Sequence, residues 1–98
     1  MHPLTPLLTI DKVEEELSRL KGWRSDGSSL SREYRFASFV EAIGFVGKVA
    51  TAAEAANHHP DIDIRYDKVL IRSWSHDAGG ITQRDLDLAA AIDTIQTG

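Results

Sequence analysis

Glu54, His58, His59, Tyr66, His76 and Asp85 fall within 32 residues and include three of the four histidines of the chain. Imidazole is the side chain whose ordinary pKa lies nearest neutrality, so a site with several of them can offer both a proton donor and a proton acceptor. The cluster points to general acid–base chemistry. Glu54 stands four residues before His58; if the helix persists that far, both lie on one face and the carboxylate can accept from an imidazole nitrogen and fix its tautomer. Pro60 cannot continue a helix and drives His59 out of the helical region. The two rings of the pair therefore diverge and can address different edges of a bound molecule.

Each residue also has a plainer meaning. Taken alone, His58-His59-Pro60 reads as a helix end followed by a surface residue, and Asp85 as a capping carboxylate that can double as a neighbour of the site. His76 shifts the balance, because it ends a strand beside the loop Ala78-Gly79-Gly80, where scaffolds commonly hold functional groups. Trp74 shares the parity of His76 and is a candidate, with Trp23, for stacking an aromatic substrate; each tryptophan alone reads as a core or interface residue.

Competing chemistries fit less well. The chain has no cysteine, which removes disulfides, thiolate nucleophiles and zinc–thiolate sites. Three histidines and an aspartate are acceptable metal ligands, but adjacent His58 and His59 diverge and there is no His-Glu-x-x-His helix. A serine hydrolase would need a Gly-x-Ser-x-Gly elbow, which is missing. The formal charge of -4 and the lack of a Lys/Arg run argue against direct nucleic-acid binding. No stretch approaches a membrane span, and the start, Met1-His2-Pro3-Leu4-Thr5-Pro6, lacks the basic-then-apolar pattern of a signal peptide. A cytoplasmic protein is expected.

The elements that must position these residues follow from periodicity and capping. Asp11 with Glu14 reads as a capping box, and Val13, Leu17 and Leu20 as the apolar stripe of a first helix ending before Gly22. Trp23 to Asp26 and Leu30 to Phe36 read as a hairpin turning at Gly27-Ser28, with Arg32 interrupting one face. Ser38 and Glu41 form a second capping box. Phe39, Ile43, Val46, Ala50 and Ala53 follow as the stripe of a helix running to about Asn57. Ile62, Ile64 and Tyr66 alternate with charged residues, and Asp67-Lys68 turns the chain into a strand from Val69 to Ser75, with Leu70, Arg72, Trp74 and His76 on one side. Thr82 caps a last helix that carries Asp85 in its first turn and continues through Leu86, Ala89, Ala90 and Ile92 or Asp93.

The order α-β-β-α-β-β-α predicts an α+β fold in one domain, residues 1–98: a four-stranded antiparallel sheet with three helices packed on one face. A chain of 98 residues buries only about 60 to 65% of its unfolded surface, so oligomerisation would help it. Leu70 and Trp74 need cover beyond the helices, which predicts a homodimer or homotetramer.

The spacing Glu54, three residues, His58-His59-Pro60, five residues, Tyr66, nine residues, His76, eight residues, Asp85 resembles the pterin-4a-carbinolamine dehydratase family, as do Gly22-Trp23, Phe36 and Phe39 upstream. The resemblance covers essentially the whole chain. It departs from the family in the bulky Leu70, Arg72 and Trp74 on the strand leading to His76. The resemblance implies dehydration of 4a-hydroxytetrahydrobiopterin, the product of pterin-dependent aromatic amino acid hydroxylases, to quinonoid dihydropterin, with no metal or organic cofactor. Carried over residue by residue, His58 and His76 resemble alternative acids, His59 a binding residue or base, and Glu54 the orienter of His58. Apart from that carry-over, Asp85, Trp23 and Trp74 are the candidates for lining the substrate. Two alternatives accompany this reading: an interaction module of the same fold, as in family members that stabilise dimers of a homeodomain transcription factor, and a dehydratase serving another pterin pathway, such as molybdopterin metabolism.

Overall fold

The computed structural model describes residues 5–97. Met1–Leu4, on which part of the signal-peptide reading rests, and Gly98 lie outside the described residues. The elements are α1 (Ile10–Leu17), β1 (Arg24–Ser25), β2 (Leu30–Arg35), α2 (Phe39–Ala56), β3 (Asp61–Arg65), β4 (Lys68–Ser73) and α3 (Gln83–Thr97). The four strands form one antiparallel sheet in the order β1-β2-β4-β3, with the three helices on one face, as the alternation and capping signals predict. The inward positions Leu30, Tyr34, Val69 and Ile71 are buried and join Val13, Phe45, Val49, Leu86, Leu88 and Ile92 in the core. The other face of the sheet carries Glu33, Arg35, Asp63, Arg65 and Arg72, with Leu70 exposed among them.

Several local expectations need correction. The N-cap of α1 is Thr9, whose Oγ1 accepts from the Lys12 amide at 3.1 Å, so Asp11 sits in the first turn rather than at the cap. In the second hairpin the turn falls one residue earlier than predicted. Arg65 pairs with Lys68, leaving Tyr66 and Asp67 as a two-residue loop with Tyr66 at φ 57°. Tyr66 is therefore exposed outside the strand. The first strand shortens to Arg24–Ser25, because the Asp26 carboxylate takes the Ser28 and Ser29 amides at 2.9 and 2.7 Å and bends the chain away. Ser38 caps α2 as predicted, accepting from the Glu41 amide at 3.2 Å.

The predicted stripe of α2 holds at Ala53 and, half-buried, at Val46, but fails at Phe39, Ile43 and Ala50. Ala42, Phe45, Val49 and Ala53 are buried, whereas Phe39, Val40 and Ile43 are exposed. The helix is apolar on two adjacent faces, so periodicity finds the helix without choosing the inward side. Arg32, expected to interrupt one face, lies at the margin of the core: its guanidinium donates to Asp93 Oδ1 at 2.9 Å and to the Lys21 carbonyl, and covers the Tyr34 ring at 4.4 Å.

The N-terminal segment ties down the loop between β4 and α3. The Leu8 amide donates to the Ile81 carbonyl at 3.0 Å, and Leu7 bridges Thr82. Within the loop the Ser75 amide donates to the Gly80 carbonyl at 2.8 Å, and Gly79, at φ 79°, returns its own amide to Ser75. A Cβ on Gly80 would come within 3.0 Å of Leu7 Cδ2. Ser75 and Thr82 are thereby held at the two ends of one closed turn.

Candidate active site

The end of α2 decides where the histidine pair points. Asn57 adopts the left-handed conformation at φ 51°, its amide donating to the Glu54 carbonyl at 3.2 Å and the His58 amide to the Ala53 carbonyl at 3.0 Å. This pair of bonds is a Schellman ending, which satisfies the last carbonyls and reverses the chain. His58 is thrown back into the fold and buried, while His59, extended by Pro60, faces solvent.

His58 Nε2 lies 2.6 Å from Asp85 Oδ1. A carboxylate only accepts, which assigns the proton to Nε2 and leaves Nδ1 as the free nitrogen. Arg84 Nε is the only buried side-chain nitrogen or oxygen without a partner among the described residues. No hydrogen bond to Nδ1 of His58 is formed among the described residues. Asp85 is itself fully buried. Its Oδ1 also accepts from Ser73 Oγ at 2.6 Å, and its Oδ2 from Ser75 Oγ and the Thr82 amide, each at 2.9 Å. The bond to the Thr82 amide, with Thr82 Oγ1 accepting from the Arg84 amide at 3.2 Å, makes the capping box of α3. Asp85 thus caps the helix and holds His58, and no surface is left for it to touch a substrate.

The outward partners differ from those expected. Glu54 lies 2.9 Å from His59 Nε2, not on His58. The helix stops at Ala56, so spacing of i to i+4 no longer governs which ring the carboxylate reaches. His76 is exposed and stacks on Trp74, with ring centroids 3.8 Å apart and planes inclined by 24°. Trp23 is not with them. Its indole N–H donates to Asp93 Oδ1 at 2.9 Å, its ring packs edge-on against Tyr34, and it belongs to the core. Asp93 follows Asp85 by eight residues along α3, a rise of about 12 Å.

Register explains the grouping. Asp61, the first residue of β3, pairs with Arg72 near the end of β4, so the histidine pair just before β3 and Trp74 to His76 just after β4 leave the sheet at the same end. Burial separates an inner set, His58, Ser73, Ser75 and Asp85, from an outer set, His59 with Glu54 and His76 with the half-buried Trp74. Sequence reasoning missed Ser73 and Ser75. They share parity with the buried Val69 and Ile71, and two inward hydroxyls, one at the end of β4 and one just beyond it, were the available signal. Beside Trp74 lies a groove of about 380 Å³ lined by Asp26, Ser28, Ser29, Asp61, Arg72, Trp74 and Gly79, within the range of small-ligand sites. Among the described residues no group of three His, Cys, Asp or Glu is arranged to hold a metal ion.

The family profile described as pterin 4 alpha carbinolamine dehydratase matches residues 6–95. The chain belongs to this family. It is 50% identical over 88 residues, 90% of its length and 96% of the relative, to a protein of Acidobacterium capsulatum whose name, pterin-4-alpha-carbinolamine dehydratase, is itself provisional. A similarly named protein of a Nostoc species is 46% identical over 94% of this chain and 99% of the relative. Among solved structures, a transcriptional coactivator/pterin dehydratase from Brucella melitensis is 32% identical with a TM-score of 0.85, over 90% of this chain and 96% of that one. A pterin dehydratase-like protein described as a RuBisCO assembly factor shares the fold at 20% identity and a TM-score of 0.61, over 74% of this chain and 84% of that one. No described helix is long and apolar enough to cross a membrane.

Proposed function

We propose that this family member dehydrates 4a-hydroxytetrahydrobiopterin to quinonoid dihydropterin and water, by histidine acid–base catalysis and without a metal or organic cofactor. What supports the reading is the buried His58–Asp85 pair together with two outward imidazoles, His59 just before β3 and His76 just after the neighbouring β4. Loss of the 4a-hydroxyl breaks the C–O bond with a proton delivered to the leaving oxygen, while a ring N–H proton is removed and its electron pair forms the new C=N bond. One accessible imidazole suits each transfer. His59, oriented by Glu54, and His76, backed by Trp74, are assigned this exchange. His58 contributes through Nδ1, Asp85 acts as its positioning residue, Trp74 backs the planar substrate, and Trp23 is assigned to the core. Positioned acid–base groups supply about a hundredfold to ten-thousandfold, or roughly 3 to 5 kcal/mol, which suits a reaction that proceeds slowly unaided.

In the cytoplasm this activity would return the pterin of an aromatic amino acid hydroxylase to its cycle, or serve another pterin pathway. A second reading, an interaction module, draws on the exposed Phe39, Val40 and Ile43 of α2 and on the fold shared with a protein described as an assembly factor. Turnover of the 4a-carbinolamine distinguishes the two. The wild-type protein is expected to accelerate dehydration and to retain full rate after exhaustive chelation. His59→Ala and His76→Ala should each lose about tenfold or more in kcat while still folding, and His58→Ala with His76→Ala should approach the uncatalysed rate. A wild-type protein that gives no acceleration overturns the enzyme reading in favour of the interaction module.

A further inference from the structure

We propose that Ser73 and Ser75 are positioning residues for the proton-transfer site: their hydroxyls aim the Asp85 carboxylate at His58, lock the Nε2–H tautomer and so keep Nδ1 available as the working nitrogen. The inference rests on the dehydratase reading. The row that runs from β4 into the loop after it is anomalous. The inward row Val69, Ile71, Ser73, Ser75 is fully buried throughout, yet its last two members are hydroxyls where the core would accept apolar side chains. Burying a hydroxyl is unfavourable unless it is hydrogen-bonded. Both are bonded, and both to the same carboxylate.

Helix capping alone does not require this arrangement. The cap of α3 uses only Oδ2 of Asp85, through the Thr82 amide. Oδ1 has no part in it and is shared by His58 and Ser73, each at 2.6 Å. Ser75 has a single hydroxyl proton, which goes to Oδ2 at 2.9 Å, so the 2.7 Å contact with Thr82 Oγ1 must be donated by Thr82. Every proton in the chain Thr82, Ser75, Asp85, Ser73 is thereby directed toward the carboxylate, and none is left that could donate to His58. The ring must donate, and its tautomer follows. Ser75 also sits in sequence between Trp74 and His76, so the residue that steadies the inner histidine is adjacent to the stack that presents the outer one.

The test compares Ser73→Ala and Ser75→Ala with Ser73→Thr, which restores the hydroxyl. Long-range proton–nitrogen correlations of the His58 ring report the tautomer, and steady-state kinetics report kcat and KM separately. Wild-type protein should show one Nε2–H form. The alanine variants should show mixed nitrogen signals and a kcat lowered about tenfold at nearly constant KM, with Ser73→Thr recovering both. Should Ser73→Ala fail to fold, Ser75→Ala gives the same two readings. An unchanged tautomer in a folded alanine variant overturns the proposal whatever the rate does, and a lost tautomer with wild-type kcat overturns its role in turnover. If the wild-type protein has no dehydratase activity, that reading falls separately, and the ring signals still decide whether the serines orient His58.

Discussion

Asn57 is the residue on which the divergence of His58 and His59 turns. At φ 51° it occupies a region that costs an ordinary L-residue about 1 to 2 kcal/mol and that asparagine and glycine tolerate. Both Asn57→Ala and Asn57→Gly remove the same side-chain groups, so in urea unfolding Asn57→Ala should be about 1 kcal/mol less stable than Asn57→Gly; equal losses would mean that the left-handed geometry is not what fixes the turn. The same residue marks how far the site was legible. Glu54, His58, His59, His76 and Asp85 stood out because so many titratable groups of the right kind lay at fixed gaps. Their partners did not, since pairing depends on where the helix stops. A continuing helix would give Glu54 to His58; a left-handed residue at position 57 gives it to His59 and sends His58 to Asp85, 27 residues away. Ser73 and Ser75 escaped notice although parity already put them with Val69 and Ile71, because an inward serine acquires a role only once its partner Asp85 is placed in space.

At the scale of elements, the β1–β2 turn is organised by one carboxylate. The Ser28 and Ser29 amides, then the Ser29 and Ser28 hydroxyls, hold Asp26 below its ordinary 3.8, at about 2. A carboxyl whose pKa is lower in the folded state contributes stability above its unfolded pKa and loses that contribution as pH falls through the folded value. The contribution of Asp26 is thus present above about pH 4 and disappears toward pH 2. Denaturant midpoints at pH 2, 3, 4 and 5 should show a shallower acid loss for Asp26→Ala than for wild type, the two converging at the lowest pH. Parallel curves would remove Asp26 from the acid response. Element types were readable throughout because capping residues and alternation are local. The inward face of α2 was not, because Phe39 and Ile43 on one side and Phe45 and Val49 on the other are equally apolar, and only contact with the sheet separates them.

For the whole molecule, that second apolar face bears on assembly. Val40 is 78% exposed, Phe39 49% and Ile43 44%, and the three lie together at the start of α2. Leu70, at 41% exposure, lies instead among Glu33, Asp63, Arg65 and Lys68, surroundings that suit water. We expect a homodimer or dimer of dimers closed through α2 rather than through Leu70. Light scattering at micromolar concentration should give more than one chain per particle, and Val40→Asp with Ile43→Asp should reduce it to one while leaving the circular dichroism spectrum unchanged. A wild-type monomer would contradict the expectation. The antiparallel sheet with one helical face was legible because two hairpins permit little else. The strand order was not, because nothing local says that β2 pairs with β4 instead of β3.

That order has a consequence for synthesis. The strand at the heart of the sheet, β4, is the last strand to be made, and both of its neighbours are complete before it exists. Until residues 68–73 emerge from the ribosome, β2 and β3 have no strand between them to pair with, and an unpaired edge is open to association with other chains. His58 waits longer still, for Asp85. The nascent protein therefore gains its sheet and its buried histidine in its final third, nearly together, and a chain interrupted before α3 would display the His-His-Pro segment without the environment that gives it a chemical use.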